Sequence, residues 1–424
     1  MAVVAADGVE PVDVLVVGAG VAGLACARDL AEAGIGVRVL EGSDGVGGRM
    51  RTDVRDGFRL DRGFQVFNTS YPQVKRRLEL RALRLRPFTP GMLVHTPEGR
   101  VRFADPSRGP DRLGGLAGLV PGRLGSARDL AALGVLSGRD MFAPARVLKR
   151  GADRTTRTAL ADAGLSEEFA DRVLRPFLSG VFLEDDLETS SRFFHLVWRS
   201  MLRGTLCLPA DGIGAVPALL ADGLPPGTVR LESAVEALTG DGVLLAGGGE
   251  LRAAAVVVAT GPGAAGRLLP ELPAVPTRAV TTYYHSAPAS PLAEPVLLTD
   301  SARRVLNTVV LSEVGPTYAP PGRALVSTSV LGAADTPTEA EVRRVLAELY
   351  DTVTRDWEPV GEYRVAEALP AMAPPWPLTR TTRMEGGAGA RRYVCGDHRA
   401  TGSVQGALAS GARAAREVLA DLEV

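Results

Sequence analysis

The feature that most constrains the fold of this chain is a glycine turn between an apolar strand and a helix. Val14–Val17 is an apolar run of strand length, and it is followed by Gly18-Ala19-Gly20-Val21-Ala22-Gly23, which has the pattern G-x-G-x-x-G. In a βαβ unit the first glycine permits the tight turn, the second lets the backbone approach a pyrophosphate, and the third lets the helix pack closely on the strand. The N-terminus of the helix supplies free N–H groups for the anion.

An acidic residue stands at the distance that this motif requires. The helix is predicted to end near Ala33, with Gly34 as its C-cap, and the next strand, Val37–Leu40, leads directly into Glu41. An acid about 20 residues past the turn binds the ribose hydroxyls of a dinucleotide. A glycine-rich turn alone also occurs by chance, or in a Rossmann unit that binds nothing. Because strand, helix, spacing and acid agree here, the sequence predicts dinucleotide binding.

Composition excludes several other classes of protein. A chain of 424 residues that is 46% hydrophobic can bury large cores and should hold at least two domains. Its net charge of −1 gives no sign of a nucleic-acid-binding surface. The three cysteines and four histidines are scattered singly, so neither a disulfide framework nor a metal site is predicted.

Targeting signals are equally scarce. The first residues contain no basic segment followed by an apolar one, and no uncharged apolar run reaches about 18 residues, so a cytoplasmic protein is expected. Leu113–Leu148 is apolar, flanked by arginines and short of acids. It is interpreted either as buried helices of a substrate domain or as a peripheral membrane face that draws a lipophilic substrate from the bilayer.

The nucleotide-binding signals occur in three separated stretches, 12–70, 205–270 and 385–424, and the material between them, 71–204 and 271–384, has the character of a substrate domain, helical over 105–204. The individual predicted elements, taken from periodicity and turn residues, are a helix at Tyr71–Leu83, a hairpin at Val94–Phe103, a helix from Ser166 to about Leu174 that Pro176 ends, a meander through Thr228–Leu231, Ala234–Leu238, Val243–Leu245 and Leu251–Ala259, and a final small-residue helix at Thr401–Leu419.

Three segments together resemble the flavin-containing amine oxidoreductase superfamily, which includes monoamine and polyamine oxidases, protoporphyrinogen oxidase and phytoene-desaturase-like enzymes. They are the opening unit through Gly47-Gly48-Arg49, the strand end Ala259-Thr260-Gly261, and the C-terminal stretch GDHRATGSVQGALASGARAA. The resemblance runs through the whole chain and implies FAD as the resident cofactor. It also implies an α/β fold in which a Rossmann-type FAD-binding domain is interleaved with a mixed α+β substrate domain.

The resemblance assigns roles to particular residues. Arg49 would neutralise the pyrophosphate, the backbone of Val235 would meet the adenine, and Asp397 would bind ribityl or phosphate-side groups. The N-terminus of the last helix would face the N1/O2 edge of the flavin, where negative charge develops on reduction. The full set of expected cofactor contacts is Gly18, Ala19, Gly20, Val21, Ala22, Gly23, Glu41, Gly42, Ser43, Gly47, Gly48, Arg49, Gly63, Phe64, Gln65, Val66, Val235, Thr260, Gly261, Gly396, Asp397, Ser403, Val404 and Gln405.

Departures from the family pattern also guide the interpretation. Many amine oxidases of the family place a lysine, through a water, against flavin N5, whereas residues 275–385 contain no lysine and the whole chain has only Lys75 and Lys149. The aromatic pair of monoamine oxidases is not apparent in 371–376, where Trp376 is either a cavity wall or a core residue. That stretch has no cysteine, so the FAD is expected to be non-covalent. His398 is the sole catalytic candidate, as a base or proton relay, and a structural role is the alternative.

These observations favour an FAD-dependent dehydrogenase or desaturase that acts on a largely apolar organic substrate by hydride transfer to flavin N5. An oxygen-consuming amine oxidase is the second hypothesis, and a redox-neutral isomerase or cyclase is the third. The electron acceptor stays open among oxygen, a quinone and other compounds.

Overall fold

The computed structural model describes residues 12–103, 125–385 and 389–423. The strands, numbered in chain order, are β1 (Val14–Val17), β2 (Val37–Leu40), β3 (Thr52–Arg55), β4 (Phe58–Asp61), β5 (Phe67–Asn68), β6 (Arg86–Pro87), β7 (Met92–Thr96), β8 (Gly99–Phe103), β9 (Leu206–Leu208), β10 (Val229–Arg230), β11 (Val235–Leu238), β12 (Gly242–Leu245), β13 (Glu250–Arg252), β14 (Ala255–Val258), β15 (Thr277–Ala287), β16 (Leu297–Asp300), β17 (Asn307–Val310), β18 (Ala324–Leu331), β19 (Glu358–Pro370) and β20 (Arg391–Val394). The helices are α1 (Val21–Glu32), α2 (Pro72–Arg77), α3 (Ala127–Phe142), α4 (Ala145–Arg150), α5 (Thr156–Asp162), α6 (Glu167–Phe169), α7 (Arg175–Phe182), α8 (Ser191–Arg203), α9 (Ala215–Ala221), α10 (Pro262–Leu268), α11 (Leu311–Val314), α12 (Glu339–Tyr350) and α13 (Val404–Asp421).

A five-stranded parallel sheet, in the order β10-β2-β1-β14-β20, has the strand of the glycine turn at its centre. Both faces of β1 are buried, which explains why Val14–Val17 is continuously apolar. Helices α1 and α13 pack together so closely that a Cβ on Gly411 would lie 2.1 Å from the carbonyl oxygen of Ala22. Small residues in the last helix therefore permit this contact, and one sheet unites strands from three distant stretches of sequence.

A larger seven-stranded sheet, in the order β19-β15-β18-β17-β16-β7-β8, forms the second part of the molecule. Its β7–β8 hairpin confirms the one predicted at Val94–Phe103. Helices α7 and α8 bring phenylalanines such as Phe182 and Phe193 into the hydrophobic cluster that also contains Tyr284 and Leu325 of the sheet. The predicted α/β architecture is confirmed, whereas the domain limits in the sequence remain a prediction.

The prediction that Pro176 ends a helix was wrong. Ser166 caps α6 as expected, by accepting a hydrogen bond from the N–H of Phe169, but the helix continues through a π-helical segment, Ala170–Leu174, into α7. Pro176 occupies the first turn of α7, directly after the π segment. A proline there breaks no α-helical hydrogen-bond ladder, because the wider π turn already interrupts it.

Two further element predictions need correction. The predicted meander contains only β11, β12 and β13. Thr228–Leu231 contains β10, which pairs with β2 in the parallel sheet, and Leu251–Ala259 divides into β13 and β14, the second of which also belongs to the parallel sheet. The predicted helix Tyr71–Leu83 is shorter, and α2 covers only its first part. Sequence patterning also missed β19, whose many charged residues suit its position at the edge of the large sheet.

Some sequence predictions fall outside the described residues. They are the expected absence of a signal peptide at residues 1–11, the first part of the helical region at 105–124, and residues 113–124 of the apolar segment. The rest of that segment forms α3 and the first part of α4. Within the described ranges, no helix is both long enough and apolar enough to cross a bilayer.

One buried carboxyl group links β4 to the rest of the structure and predicts a pH effect on stability. Asp61 is 1% exposed, and its Oδ1 accepts hydrogen bonds from the Thr52 hydroxyl (2.6 Å) and the Ile213 N–H (2.9 Å). Its Oδ2 has no partner among the described residues, and burial raises the pKa of Asp61 to about 6. An unfolded-chain aspartate has a pKa of about 3.9, so the folded state binds more protons between these two values.

Stability should therefore fall as the pH rises from about 4 to about 6, by roughly 3 kcal/mol if the whole pKa difference is expressed. Asp61→Asn keeps an acceptor for both donors but cannot ionise, so we expect it to flatten this part of the profile. The measurement is urea unfolding at a series of pH values, with Asp56→Asn at an exposed turn as the control. Equal slopes for the wild type and Asp61→Asn would contradict the prediction.

Candidate functional site

A cavity of about 800 Å³ lies at the carboxyl ends of four strands of the parallel sheet. Its wall includes Val17, Leu40, Ala259 and Gly396, which end or follow β1, β2, β14 and β20. Open parallel sheets bind ligands at this edge. The cavity extends from there to the large sheet and to helices α7 and α8, so it has a nucleotide-side half and a second half walled by the other elements.

The glycine turn between β1 and α1 borders the first half of the cavity. Gly18 has a φ of +102°, and a Cβ on Gly23 would lie 2.1 Å from the carbonyl oxygen of Gly18. Gly23 therefore serves the close packing of α1 on β1. A Cβ on Gly20 would meet nothing within 4 Å, and Gly20 lies beside Gly48 of the second glycine loop. The backbone around Gly20 is thus open for a ligand to approach.

Glu41 is held rigidly at the end of β2. Its Oε2 accepts a hydrogen bond from the Ala19 N–H (2.8 Å), and its Oε1 accepts from the N–H (2.9 Å) and the hydroxyl (2.8 Å) of Ser43. Ala19 and Ser43 do not line the cavity themselves, but Glu41 does. The two residues fix the orientation of the one carboxylate that sequence spacing assigned to a ribose.

Arg49 and Asp397 join the second glycine loop to the C-terminal segment. The Arg49 guanidinium contacts Asp397 Oδ1 at 2.7 Å and donates to the carbonyl oxygen of Ala368 at 2.7 Å. Asp397 is buried, which by itself would raise its pKa, but the charge of Arg49 and a hydrogen bond from His398 hold the pKa well below its usual range. Gln65 donates to the Arg49 carbonyl at 2.7 Å. Both ions line the cavity, so a fixed cation and a fixed anion face the ligand.

The N-terminus of α13 also opens on the cavity. Ser403 caps this helix by accepting from the Gly406 N–H at 3.1 Å, and Ser403, Val404 and Ala407 line the wall. The positive end of the helix dipole therefore points toward the cavity, where it favours negative charge. Gln405 does not take part, because its Oε1 accepts from the Gln73 N–H at 2.9 Å.

All but four of the expected cofactor contacts line this one cavity, the exceptions being Ala19, Gly23, Ser43 and Gln405. The structure thus brings Val235, Thr260 and the Gly63–Val66 segment together with the glycine turn. Their individual contacts with a cofactor remain predictions. Sequence reasoning missed Glu367, whose carboxylate accepts from the Gly263 N–H at 3.2 Å, because no motif marks it and β19 itself was not predicted.

The second half of the cavity is mainly apolar. Its wall is formed by side chains from α7, α8 and the large sheet, namely Phe177, Val181, Leu183, Phe193, Val197, Met201, Leu297 and Leu306. The large sheet also contributes the uncharged polar side chains of Thr299, Asn307 and Ser329. Its charged residue in the cavity wall is Glu367 on β19, which accepts the hydrogen bond from Gly263 described above. The buried Oδ1 of Asn307 has no hydrogen-bond partner among the described residues. Sequence analysis had singled out none of these residues as a substrate contact.

The catalytic candidate His398 does not reach the cavity. Its side chain has no exposed surface and is absent from the cavity wall. Neither ring nitrogen has a hydrogen-bond partner among the described residues, and Nδ1 lies 3.9 Å from Asp397 Oδ1. A Cβ on Gly396 would lie 2.6 Å from its Nδ1, so the ring packs behind the turn after β20. This position argues against a general base and favours the structural alternative.

Trp376, for which the sequence left two roles open, and Cys395 are also core residues. Trp376 is 7% exposed and donates its Nε1–H to the Ala400 carbonyl at 2.7 Å, and it does not line the cavity. It is therefore not an aromatic wall. Cys395 is fully buried, and burial raises its pKa to about 12, as expected of a small core residue.

A family model for flavin-containing amine oxidoreductases matches residues 21–419, which is nearly the whole described chain. The chain belongs to the flavin-containing amine oxidoreductase family. It is an FAD-dependent oxidoreductase. The expected resemblance, enzyme class and cofactor are thereby confirmed.

Solved structures with the same fold cover almost the whole chain at low identity. Cyclohexylamine oxidase from Brevibacterium oxydans is 20% identical with a TM-score of 0.68, over 98% of this chain and 100% of that one. A putative protoporphyrinogen oxidase from Exiguobacterium is 16% identical with a TM-score of 0.68, over 98% and 100%. UDP-galactopyranose mutase is 15% identical with a TM-score of 0.68, over 96% of each chain. At these identities the likeness shows the fold alone.

Curated relatives match over short segments. Lysine-specific histone demethylase 1 homolog 1 of Arabidopsis thaliana is 61% identical over 46 residues, which are 11% of this chain and 6% of that protein. Probable polyamine oxidase 4 of the same plant is 47% identical over 57 residues, 13% of this chain and 11% of that protein. The match therefore spans only a small part of the length of these relatives.

The residues present in the nucleotide-side half fit FAD. The open backbone at Gly20 suits a pyrophosphate, the fixed carboxylate of Glu41 suits ribose hydroxyls, and Arg49 supplies a forked cation for phosphate oxygens. The N-terminus of α13 suits the flavin edge that gains negative charge. When bound, the flavin would supply redox chemistry at this edge of the cavity.

Proposed function

We propose that the enzyme dehydrogenates or desaturates a neutral, largely apolar organic substrate. The observation that carries this proposal is the uncharged wall of the second half of the cavity. A charged substrate would lose its hydration there without a compensating ion, which is costly. Charged residues do line the rest of the described wall. Glu41, Arg49 and Asp397 belong to the cofactor half, Glu236 and Arg267 lie on β11 and α10, Glu367 bonds to Gly263, and Arg62 is paired with Asp53.

The chain supplies orientation and a dry environment for the reaction. The aliphatic and aromatic side chains of α7 and α8 exclude water from the C–H group that reacts. The amide of Asn307 and the hydroxyls of Thr299 and Ser329 give a substrate carbonyl or hydroxyl group its hydrogen-bonding partners. In this proposal no side chain acts as a nucleophile, and the proton that the substrate loses with the hydride is released to solvent water.

An oxygen-consuming amine oxidase is the second candidate. It is supported by family membership and by the likeness in fold to cyclohexylamine oxidase, whose name implies an alicyclic amine substrate. A redox-neutral isomerase or cyclase is a third, since UDP-galactopyranose mutase shares the fold. Both candidates rank lower, because a protonated amine or a phosphorylated sugar finds no opposite charge in the apolar half.

An anaerobic substrate series tests the proposal. Flavin-loaded enzyme is mixed with pairs of compounds that share one alicyclic or isoprenoid carbon skeleton, one a primary amine and the other a neutral ketone or hydrocarbon. We expect the neutral members to bleach the flavin absorbance and to appear as dehydrogenated products by mass spectrometry. As a matched control, Asn307→Leu should slow bleaching by ketones and leave that by hydrocarbons unchanged. Bleaching by the amines alone would overturn the proposal in favour of the amine oxidase.

A further inference from the structure

Helices α3 and α4 expose an unusual group of large apolar side chains. Val135 is 75% exposed, Phe142 79%, Val147 50% and Met141 37%. These four are the majority of the seven exposed large apolar residues among those that the structure describes, and they fall within 13 residues of sequence. Scattered single apolar residues are normal on a surface, whereas a cluster of this kind indicates a contact. The exposed surface of residues 127–150 is called the α3–α4 face below.

The charges of the α3–α4 face have one sign. All its basic side chains are exposed, and they are Arg128, Arg139, Arg146, Lys149 and Arg150. Its two carboxylates, Asp129 and Asp140, are 3% and 0% exposed. Asp129 accepts hydrogen bonds from Ser126 and Ser166, and Asp140 bonds to His195. The face therefore presents apolar groups among cations, with no exposed acid of its own.

The rest of the structure holds this face firmly in place. A capping box between Ser126 and Asp129 fixes the start of α3. Trp198 donates to the Ser137 hydroxyl at 3.0 Å, and Arg199 donates to the carbonyl oxygens of Asp140 (2.7 Å) and Ala143 (2.6 Å) at the end of α3. The exposed apolar side chains thus stand on an anchored helix rather than a frayed one.

Among the described residues, helix α8 lies between the α3–α4 face and the apolar half of the cavity. On α8, Phe193, Val197 and Met201 line the cavity at a spacing of four residues. The other side of α8, through Trp198 and Arg199, is the side that holds α3. A binding partner that contacts α3 would therefore lie close to the apolar half of the cavity.

We propose that the α3–α4 face docks the enzyme on a bilayer that contains anionic lipids. Helices of this kind lie in the interface with their apolar side chains among the acyl chains and their Lys and Arg side chains at the headgroups. Charge complementarity selects the anionic membrane, because a face with cations and no exposed carboxylate gains at a negative surface. The inference goes beyond the proposed function and does not depend on it, since docking involves no residue of the cavity wall.

Vesicle flotation of the full, flavin-loaded chain tests the apolar component. We expect the wild type to bind phosphatidylcholine vesicles that contain phosphatidylglycerol. The affinity of Val135→Asp/Phe142→Asp for these vesicles should be lower by at least about tenfold. The matched control is Val54→Asp/Val353→Asp, because both valines are 68% exposed and lie elsewhere. Unchanged flavin content and circular dichroism establish that each variant is folded. Equal binding of both double variants would overturn the proposal.

Charge reversal tests the electrostatic component. Lys149→Glu/Arg150→Glu should abolish the preference for anionic over neutral vesicles and make vesicle binding less sensitive to salt. The control Lys75→Glu/Arg76→Glu, which changes an exposed pair on α2, should leave the preference and the salt sensitivity unchanged. Equal binding to neutral and anionic vesicles would contradict the choice of lipid. Absence of vesicle binding would overturn the proposal, and a dimer in size-exclusion chromatography that Val135→Asp/Phe142→Asp dissociates would then assign the face to a second copy of the chain.

Discussion

Arg49→Ala is expected to weaken FAD binding more than tenfold. The substitution removes the forked cation at the pyrophosphate position and leaves Asp397, which is 5% exposed, without its ion-pair partner. A lost charged hydrogen bond of this kind costs about 1.5–3 kcal/mol, which is one to two orders of magnitude in affinity. The measurement is a fluorescence titration of the apoprotein with FAD. Arg49→Lys keeps the charge but not the fork, so an intermediate affinity is expected.

A matched arginine separates this effect from general destabilisation. Arg51 lies two residues away, is largely buried, and pairs with Asp44 at 2.8 Å, but it does not line the cavity. Arg51→Ala should therefore retain FAD affinity. Glu41→Ala should resemble Arg49→Ala, because it removes the fixed ribose acceptor. If Arg49→Ala and Glu41→Ala bound FAD as tightly as Arg51→Ala, the assignment of the nucleotide-side half to the cofactor would be wrong.

The second large effect concerns the reaction of the reduced enzyme with oxygen, which we expect to be slow. Neither Lys75 nor Lys149 lines the cavity, and both are exposed on helices α2 and α4. The cations in the described wall are Arg49, Arg62 and Arg267, of which the first two already pair with Asp397 and Asp53. An arginine is a broad, permanently charged fork and does not replace the compact ammonium of a lysine. An acceptor such as a quinone should therefore oxidise the enzyme faster than oxygen does.

Local rules explain the parts of the fold that sequence predicted well. The turn at Gly18–Gly23 and the helix start at Ser403 depend on backbone conformations and hydrogen bonds that neighbouring residues decide. The same holds for α12, which begins at a capping box between Thr338 and Glu341. Such signals reach only a few residues along the chain, so they locate elements but not the contacts between them.

Contacts between distant residues explain what the sequence could not show. Arg49 and Asp397 are 348 residues apart and meet only because β20 completes the parallel sheet. Asn307 lines the cavity because of the position of its strand, β17, in the large sheet, and that position is not encoded locally. The alternating pattern expected of a strand is hidden in β19 by charged residues, which an edge strand tolerates. The helix through Pro176 continues because a π turn precedes it, a tertiary feature that residue preferences do not reveal.

We expect electrons to pass from the apolar substrate to an acceptor other than oxygen, and a double-mixing stopped-flow experiment measures this directly. The flavin is first reduced anaerobically, by light or by a neutral substrate from the series above, and is then mixed with buffer containing either oxygen or a soluble quinone. We expect the flavin absorbance to return slowly with oxygen and markedly faster with the quinone. Reoxidation by oxygen as fast as in lysine-containing members of the family, and no faster with the quinone, would instead identify the enzyme as an amine oxidase.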